Sequence, residues 1–155
     1  SLSVDYAATY LDTLDEPPFD GAAPIECVGF YAGSCELPTP EYSHRMVISW
    51  EPAFDLVVNA TWRHVGETEL FGLDRQAASQ RDEQMNDFLE ERNYLDLSAN
   101  YNLTDSINLR AGVNNVFAKD PPLSTNVGTG TGNNNTYPGL FDVSRYFFAG
   151  VNVSF

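Results

Sequence analysis

The final segment of the chain, YFFAGVNVSF, constrains the fold more than any other. From Phe147 onward, an apolar side chain stands at every second position. A period of two predicts a β-strand with one apolar face and one more polar face. In water, such a strand at a chain end would fray and invite aggregation, because its edge and its apolar face are both open. We therefore expect the apolar face to contact lipid.

Five further segments alternate in the same way, so the sequence predicts six strands in all. They are expected near residues 2–14, 42–51, 55–65, 93–103, 107–117 and 142–155. Each is about as long as the 9–11 residues that a tilted strand needs to cross a bilayer. Apolar-out, polar-in alternation is typical of outer-membrane β-barrels. The predicted fold class is all-β, an antiparallel transmembrane β-barrel segment. A soluble sandwich also alternates, but strand length, long connections and the terminal Phe argue against it.

The last strand also resembles the C-terminal assembly signal of outer-membrane barrels, which ends in Phe after apolar residues at alternate positions. The residues that carry this signal are Phe147, Gly150, Val151, Val153 and Phe155. The implied location is the outer membrane of a Gram-negative bacterium.

The length of apolar runs and the net charge exclude two further classes of protein. No apolar run approaches the roughly 18 residues of a membrane-spanning helix, which excludes a helical membrane protein. The 8 basic residues face 22 acidic ones, for a net charge of −14, and nucleic-acid binding needs a basic surface. The chain opens directly on a strand without a signal peptide, so we expect it to begin inside a longer protein.

The connections predict the topology. Tight turns are expected at 51–54 and 104–106, and long polar connections at 15–41, 67–92 and 118–141. Short turns lie in the periplasm and long loops outside the cell in such barrels. The first turn predicts the pairs Trp50–Leu56, Ile48–Val58 and Met46–Ala60. The second turn predicts the pairs Leu103–Ile107, Tyr101–Leu109 and Ala99–Ala111. Aromatic girdles are expected at Trp50 and Phe155 on the periplasmic side, and at Tyr10, Tyr42, Trp62 and Phe147 on the outer side.

Six strands cannot form a closed wall by themselves. The smallest common barrels have eight strands, and open sheet edges are too costly in hydrocarbon. We therefore expect residues 1–155 to be the C-terminal part of a larger barrel domain.

Two segments carry a more specific resemblance. NLRAGVNNVFAKDPPL (residues 108–123) resembles the penultimate strand and loop of TonB-dependent outer-membrane receptors, and NTYPGLFDVSRYFFAGVNVSF resembles their ending. TPEYSHRMVISW resembles an upstream strand of the family. Ser144 departs from the glycine that usually precedes the arginine of the last motif. The matching motif residues include Gly112, Asn115, Phe117, Pro121, Pro122, Asp142 and Arg145.

The resemblance implies a 22-stranded barrel, of which this chain would supply the last six strands. An N-terminal plug domain, absent from this sequence, would fill the lumen and reach the energy-transducing TonB protein through a TonB box. The function would be energised uptake of a scarce nutrient: a ferric siderophore, haem, cobalamin or an oligosaccharide. Membrane lipid and lipopolysaccharide would surround the barrel.

Charged residues on the polar faces are candidates for contact with the plug. They are Arg45, Arg63, Asp96 and Arg110. Buried charges of this kind require oppositely charged partners. By contrast, His44 and His64 fall on the apolar faces, where interfacial packing is the expected role and catalysis is not.

No enzyme motif, catalytic residue or cofactor site is predicted. Cys27 and Cys35 lie in the first long connection, in an oxidising compartment, so we expect a disulfide worth about 2–3 kcal/mol on the chain-entropy model. The acidic connections offer carboxylates to calcium, but solvated surface is the favoured interpretation and no metal site is predicted. Residues 70–89 contain strong helix formers and are a candidate for a short helix. The Gly- and Asn-rich residues 124–139 suit either a ligand site or a flexible cover.

Two other function classes stay open. A passive porin would have an open, charged lumen, and an autotransporter or adhesin would use the barrel as an anchor for an N-terminal passenger. An upstream plug domain would identify the receptor, and an upstream repetitive β-helix would identify the anchor.

Overall fold

The structure is a computed structural model that describes residues 1–17, 19–52, 55–72, 88–124 and 136–155. Within these ranges the only helical element is a 3₁₀ turn at Gly33–Cys35, and no helix there is long and apolar enough to cross a membrane. The strands are, in chain order, β1 (Leu2–Tyr10), β2 (Asp15–Glu16), β3 (Ile25–Glu26), β4 (Phe30–Tyr31), β5 (Tyr42–Trp50), β6 (Leu56–Val65), β7 (Thr68–Leu70), β8 (Phe88–Leu89), β9 (Arg92–Thr104), β10 (Ile107–Asn114) and β11 (Tyr146–Val153).

The six long strands form one antiparallel sheet, which we call the wall. Its strand order is β1-β5-β6-β9-β10-β11, so long strands that follow one another along the chain are neighbours in space. The predicted all-β class with antiparallel pairing is therefore confirmed for this sheet. The wall is an open sheet: among the described residues, β1 and β11 each pair on one side only.

Three strands are at least three residues shorter than the alternation predicts. β11 covers only Tyr146–Val153 of the predicted 142–155. The other two, β1 and β10, end where the chain leaves the wall early. β1 stops at Tyr10, and β2 then pairs with β3 in a separate two-stranded sheet. β10 stops at Asn114, where Asn115 adopts a left-handed φ of 51°. A left-handed residue interrupts the extended backbone that a strand requires. Alternation thus located the strands but not their ends.

The two predicted hairpin registers had different outcomes. Around the second turn, Tyr101–Leu109 and Ala99–Ala111 are confirmed, whereas Ile107 pairs with Thr104 because the register shifts between Ile107 and Asn108. Around the first turn, the prediction was wrong by two residues. The observed pairs are Trp50–Val58, Ile48–Ala60 and Met46–Trp62. A shift by an even number of residues keeps every side chain on its predicted face. The predicted faces are therefore correct even though the predicted pairs are not.

The pairing aligns apolar residues in continuous rows across the wall. One row runs through Leu2, Trp50, Val58, Ala99, Ala111 and Ala149. The next runs through Val4, Ile48, Ala60, Leu97, Val113 and Phe147. The opposite face carries polar rows, such as Asn102, Asn108 and Asn152. The apolar rows therefore cross all six strands, whereas the opposite face is mainly polar and includes Val47, Val57 and Phe148.

The buried core lies at one end of the wall rather than along it. The cluster of buried apolar residues consists of Tyr31, Ala32, Val65, Leu70, Leu89, Tyr94 and Phe141. Only Val65 and Tyr94 belong to the wall, at the end from which the long connections leave and on its polar face. The other members come from the three long connections. On the apolar face, in contrast, Val4 is 57% exposed and Val151 is 62% exposed.

Candidate functional site

A charged cluster occupies the polar face of the wall beside the buried core. Arg63 on β6 donates from Nε to Asp96 on β9 at 2.9 Å. The same guanidinium forms two hydrogen bonds with the carboxylate of Asp142, which precedes β11. Its Cζ also lies 5.1 Å from the ring centroid of Tyr94. Arg63 therefore joins two strands of the wall to the third long connection.

Asp96 connects this cluster to the turn that follows β10. Its Oδ1 accepts a hydrogen bond of 2.8 Å from the backbone N–H of Asn115. The buried side chain of Asn115 then donates to the carbonyl of Lys119 and accepts from its N–H. Asn is among the residues that best tolerate the left-handed conformation. The two side-chain hydrogen bonds and the left-handed backbone together explain why an asparagine occupies position 115.

Of the four predicted lumen-facing residues, only two are brought together. Arg63 and Asp96 form the ion pair, whereas no ion pair forms to Arg45 or Arg110 within the described parts of the chain. Arg45 stands directly opposite Arg63 in the sheet register. Arg110 lies over Gly150, where a Cβ would come within 2.8 Å of its Nε. The alternation identified the face of these residues but not their partners.

The long connections pack into one unit, which we call the cap. It comprises residues 25–36, 68–71, 88–89 and 136–142. β4 pairs in parallel with β7, and β7 pairs with β8, so the predicted all-antiparallel pairing does not extend to this unit. The Tyr31 ring is fully buried and makes an edge-to-face contact with Tyr137. The cap therefore packs around a core that it shares with Val65 and Tyr94 of the wall.

The predicted disulfide between Cys27 and Cys35 is present and encloses Tyr31. Cys27 is fully buried and Cys35 is 3% exposed. Beside it, the Glu26 carboxylate accepts hydrogen bonds of 2.9 Å from the backbone N–H groups of Val28 and Leu14. These bonds favour the charged form and lower the pKa of Glu26. The first connection is thus fixed by a covalent and a charge-assisted clamp.

Tyr137 ties the third connection to the first. Its hydroxyl donates to the carbonyl of Glu36 at 3.0 Å. Burial, with a smaller contribution from Tyr31, raises the pKa of Tyr137 to about 12. The phenol therefore stays neutral and available as a donor at physiological pH. Sequence reasoning did not single out Tyr31 or Tyr137, although the position of Tyr31 between two cysteines was an available signal.

The apolar face carries a second group of interest, which we call the aromatic cluster. It consists of Tyr6, Tyr42, His44, Trp62 and His64. The Trp62 indole donates to Asn93 at 2.9 Å, and His64 contacts the same amide oxygen. The two phenols of Tyr6 and Tyr42 share a hydrogen bond. Tyr6, Tyr42, Trp62 and His64 thus have polar partners on this face, whereas both ring nitrogens of His44 are buried without a hydrogen-bond partner among the described residues.

Close approach between β10 and β11 explains two glycines. The ring of Phe148 lies across Gly112, where a Cβ would overlap the ring and come within 2.7 Å of the Leu97 carbonyl oxygen. Gly150 accommodates Arg110 in the same manner. Aromatic residues commonly cover a glycine on the neighbouring strand. Gly112 is therefore required for close packing between the strands, whereas a Cβ at Gly150 would displace only the flexible Arg110 side chain.

The other residues that carry the family resemblance do not lie together in one site. Phe117 is 65% exposed and Arg145 is also exposed, whereas Pro122 is buried and Pro121 is half-buried. Of this set, the charged cluster includes Asp142 and, through a backbone contact, Asn115. Of the predicted assembly-signal residues, Phe147, Val151, Val153 and Phe155 are all exposed, and Gly150 faces the polar side. Phe155 lies two residues beyond the end of β11.

No metal centre emerges from the described ranges, where no three His, Cys, Asp or Glu side chains are grouped to hold an ion. The predicted short helix at 70–89 falls mostly on residues 73–87, and most of the Gly- and Asn-rich segment falls on 125–135. Both stretches lie outside the described residues. Comparison of the chain with protein-family models, curated proteins and solved structures found no match.

Proposed function

We propose that this chain forms six strands of the barrel wall of a TonB-dependent outer-membrane receptor, which imports a scarce nutrient. The observation that carries the proposal is the alignment of apolar rows across six paired strands, whose side chains are exposed or half-buried and lack a covering layer in the described part of the chain. Burial of apolar surface from water contributes about 25 cal/mol per Å². A sheet that leaves such a face open needs an apolar surrounding, and hydrocarbon provides one.

The open edges support a larger wall. An unpaired backbone group costs several kcal/mol in hydrocarbon, and β1 and β11 each present an edge. Additional strands from the same protein would pair with both edges and close the barrel. The 22-stranded size comes from the family resemblance alone.

The polar face supports a receptor rather than an open pore. The cap rests on this face at the end of the long connections, which corresponds to the extracellular mouth in the proposed orientation. Arg45 and Arg110 would find carboxylates on a plug domain that fills the lumen. The cargo would be a ferric siderophore, haem, cobalamin or an oligosaccharide, with TonB as the energy-transducing partner and lipopolysaccharide around the outer rim.

Single cysteines on the two faces test the membrane part of the proposal. The native cysteines are joined in a disulfide, so an added thiol can be labelled selectively. Ala60→Cys and Ala99→Cys lie on the apolar face, and Ser49→Cys and Ser98→Cys are matched controls on the polar face. With the native protein in its own membrane, nitroxides at 60 and 99 should be accessible to lipid-soluble oxygen and shielded from a water-soluble nickel complex. Equal accessibility at all four sites would contradict the proposal.

Energised uptake tests the receptor part. Cells that produce the native protein should accumulate radiolabelled candidate cargo only with TonB and a proton gradient. Uptake that continues unchanged without either would favour a passive porin. A surface-exposed passenger domain with no uptake would favour an autotransporter anchor.

A further inference from the structure

We propose that Tyr146 and Phe148 on β11 form a binding site for a neutral oligosaccharide on the polar face of the wall. The inference rests on the proposed function, because it assigns one of the four classes of cargo to the lumen of the barrel. The site itself is built from residues of this chain, and its binding can be measured without transport.

Two aromatic side chains lie on the face of the wall that is otherwise mainly polar. Tyr146 pairs with Asn114 of β10, and both are on this face. Phe148 pairs with Gly112 of the same strand. The two rings are neighbours, with their centroids 6.5 Å apart and an angle of 21° between their planes. Tyr146 is 62% exposed and Phe148 is half-buried, and exposed aromatic surface with a polar rim is typical of a binding site.

The neighbouring strand fixes the position of the Phe148 ring. The ring lies across Gly112, where a Cβ would overlap it. Glycine at this position therefore lets the ring lie close to the sheet. A ring that is already held in place loses less conformational entropy when a ligand binds to it than a mobile ring would.

Small polar side chains continue from the aromatic pair across the wall. The row that contains Phe148 and Gly112 runs on through Ser98, Asn59, Ser49 and Ser3. Within it, the Ser49 hydroxyl donates to Asn59 Oδ1 at 2.6 Å. In the described part of the chain, this arrangement leaves both N–H groups of the Asn59 amide for other acceptors. Hydroxyl and amide groups both donate and accept hydrogen bonds, and sugar hydroxyls do the same.

A sugar chain matches both parts of this surface. One face of many sugar rings consists of C–H groups, whose slight positive charge suits the negative face of an aromatic ring. The sugar hydroxyls require hydrogen-bond partners when they leave water, and the row of serines and asparagine supplies them. The combination of aromatic rings and a neutral polar row therefore favours a ligand that is long enough to contact both.

The charges on this face argue against an anionic cargo such as a ferric catecholate or haem. Arg63 is already paired with Asp96 and Asp142. Arg110 adds one guanidinium at Gly150, and a guanidinium donates to hydroxyls as well as to carboxylates. The chain as a whole carries a net charge of −14, which repels anions. A neutral cargo needs no counter-charge.

Binding to the native protein, purified in a detergent without a sugar headgroup, tests the site. The probes are uncharged oligomers of glucose, galactose, mannose and xylose, and isothermal titration calorimetry measures their affinity. At least one oligomer should bind. Tyr146→Ala should weaken that binding about tenfold, and Phe148→Leu, which keeps an apolar side chain over Gly112 but loses the flat ring, should weaken it to a similar extent. Phe147→Ala is the matched control, because it removes the ring between these two on the apolar face, and it should leave the affinity unchanged.

Other outcomes overturn the proposal. Binding of none of these oligomers would do so, as would binding that both ring variants leave unchanged, because the ligand would then contact another part of the protein. An equal loss in Phe147→Ala would show that affinity does not depend on the rings of the polar face. A ferric catecholate that requires Tyr146 and Phe148, with no binding of the oligomers, would assign the site to an anionic cargo. A protein that binds an oligomer through these rings but does not import it would contradict the receptor function and leave the site in place.

Discussion

The wall and the cap contain similar apolar residues but differ in how far these residues are exposed. In the cap, short strands and turns enclose Tyr31, Leu70, Leu89 and Phe141 almost completely. In the wall, six long strands pair in one open sheet, yet Leu2, Val4 and Val151 stay more than half exposed. Exclusion of water explains the cap as it explains any small core. It explains the wall only if another apolar phase covers the exposed face.

The largest expected effect is in the core of the cap. Tyr31→Ala should destabilise the cap by about 3–5 kcal/mol, as for other large, fully buried aromatic side chains. Because the wall has its own pairing, its strands should keep their hydrogen-exchange protection while peptides from the cap lose theirs. If the wall lost protection to the same extent, the distinction between two regions would be wrong.

The next effect concerns the wall and depends on the solvent. Val151→Arg should destabilise the protein in lipid vesicles by about 2–4 kcal/mol if this position lies near the bilayer midplane, because the charge faces hydrocarbon. Asn152→Arg, on the opposite face and one residue away, should be much milder. Denaturant titration of both variants in vesicles provides the measurement. Equal penalties would contradict the assignment of one face to lipid.

The comparison also explains what could be predicted from the sequence. A period of two assigns every wall residue to a face, and the register pairs Val58 with Trp50 rather than Leu56 without changing that face. The partners of Arg63 could not be predicted from the sequence. Asp96 is 33 positions away and Asp142 is 79 positions away, and only the folded connections bring Asp142 to the wall. Non-local pairing of this kind leaves no periodic signal in a single sequence.

The cap illustrates the same limit. The predicted disulfide is confirmed; its two cysteines are separated by only 8 positions, so their pairing is visible in the local sequence. The surrounding core was not predicted, because its members are single aromatic and aliphatic residues dispersed through polar connections. The acidic composition of these connections suggested solvated surface, and that holds for many carboxylates but not for the segments around Tyr31 and Phe141.

A smaller effect is expected where β10 and β11 pack most closely. Gly112→Ala should cost about 1–3 kcal/mol by overpacking, because the added methyl group overlaps the Phe148 ring. In a Phe148→Ala background the cost should fall but not vanish, since the Leu97 carbonyl still crowds the same position. A double-mutant cycle measured by denaturant unfolding gives the coupling. Full additivity would show that Phe148 does not rest on Gly112.

The smallest effect separates the cap from the wall by pH. Two backbone N–H groups lower the pKa of Glu26 in the folded cap relative to its ordinary value of 4.5. The unfolded cap therefore binds this proton more readily, so the carboxylate stabilises the cap above its unfolded pKa, and the contribution is lost as pH falls through the folded pKa. Glu26→Gln keeps an acceptor but does not titrate. Hydrogen exchange, corrected for its intrinsic pH dependence, should show cap protection falling more steeply on acidification in the parent protein than in the variant. Protection in the wall should not differ between the parent protein and the variant. If the two proteins showed parallel pH profiles in the cap, Glu26 would not contribute to the pH dependence of its stability.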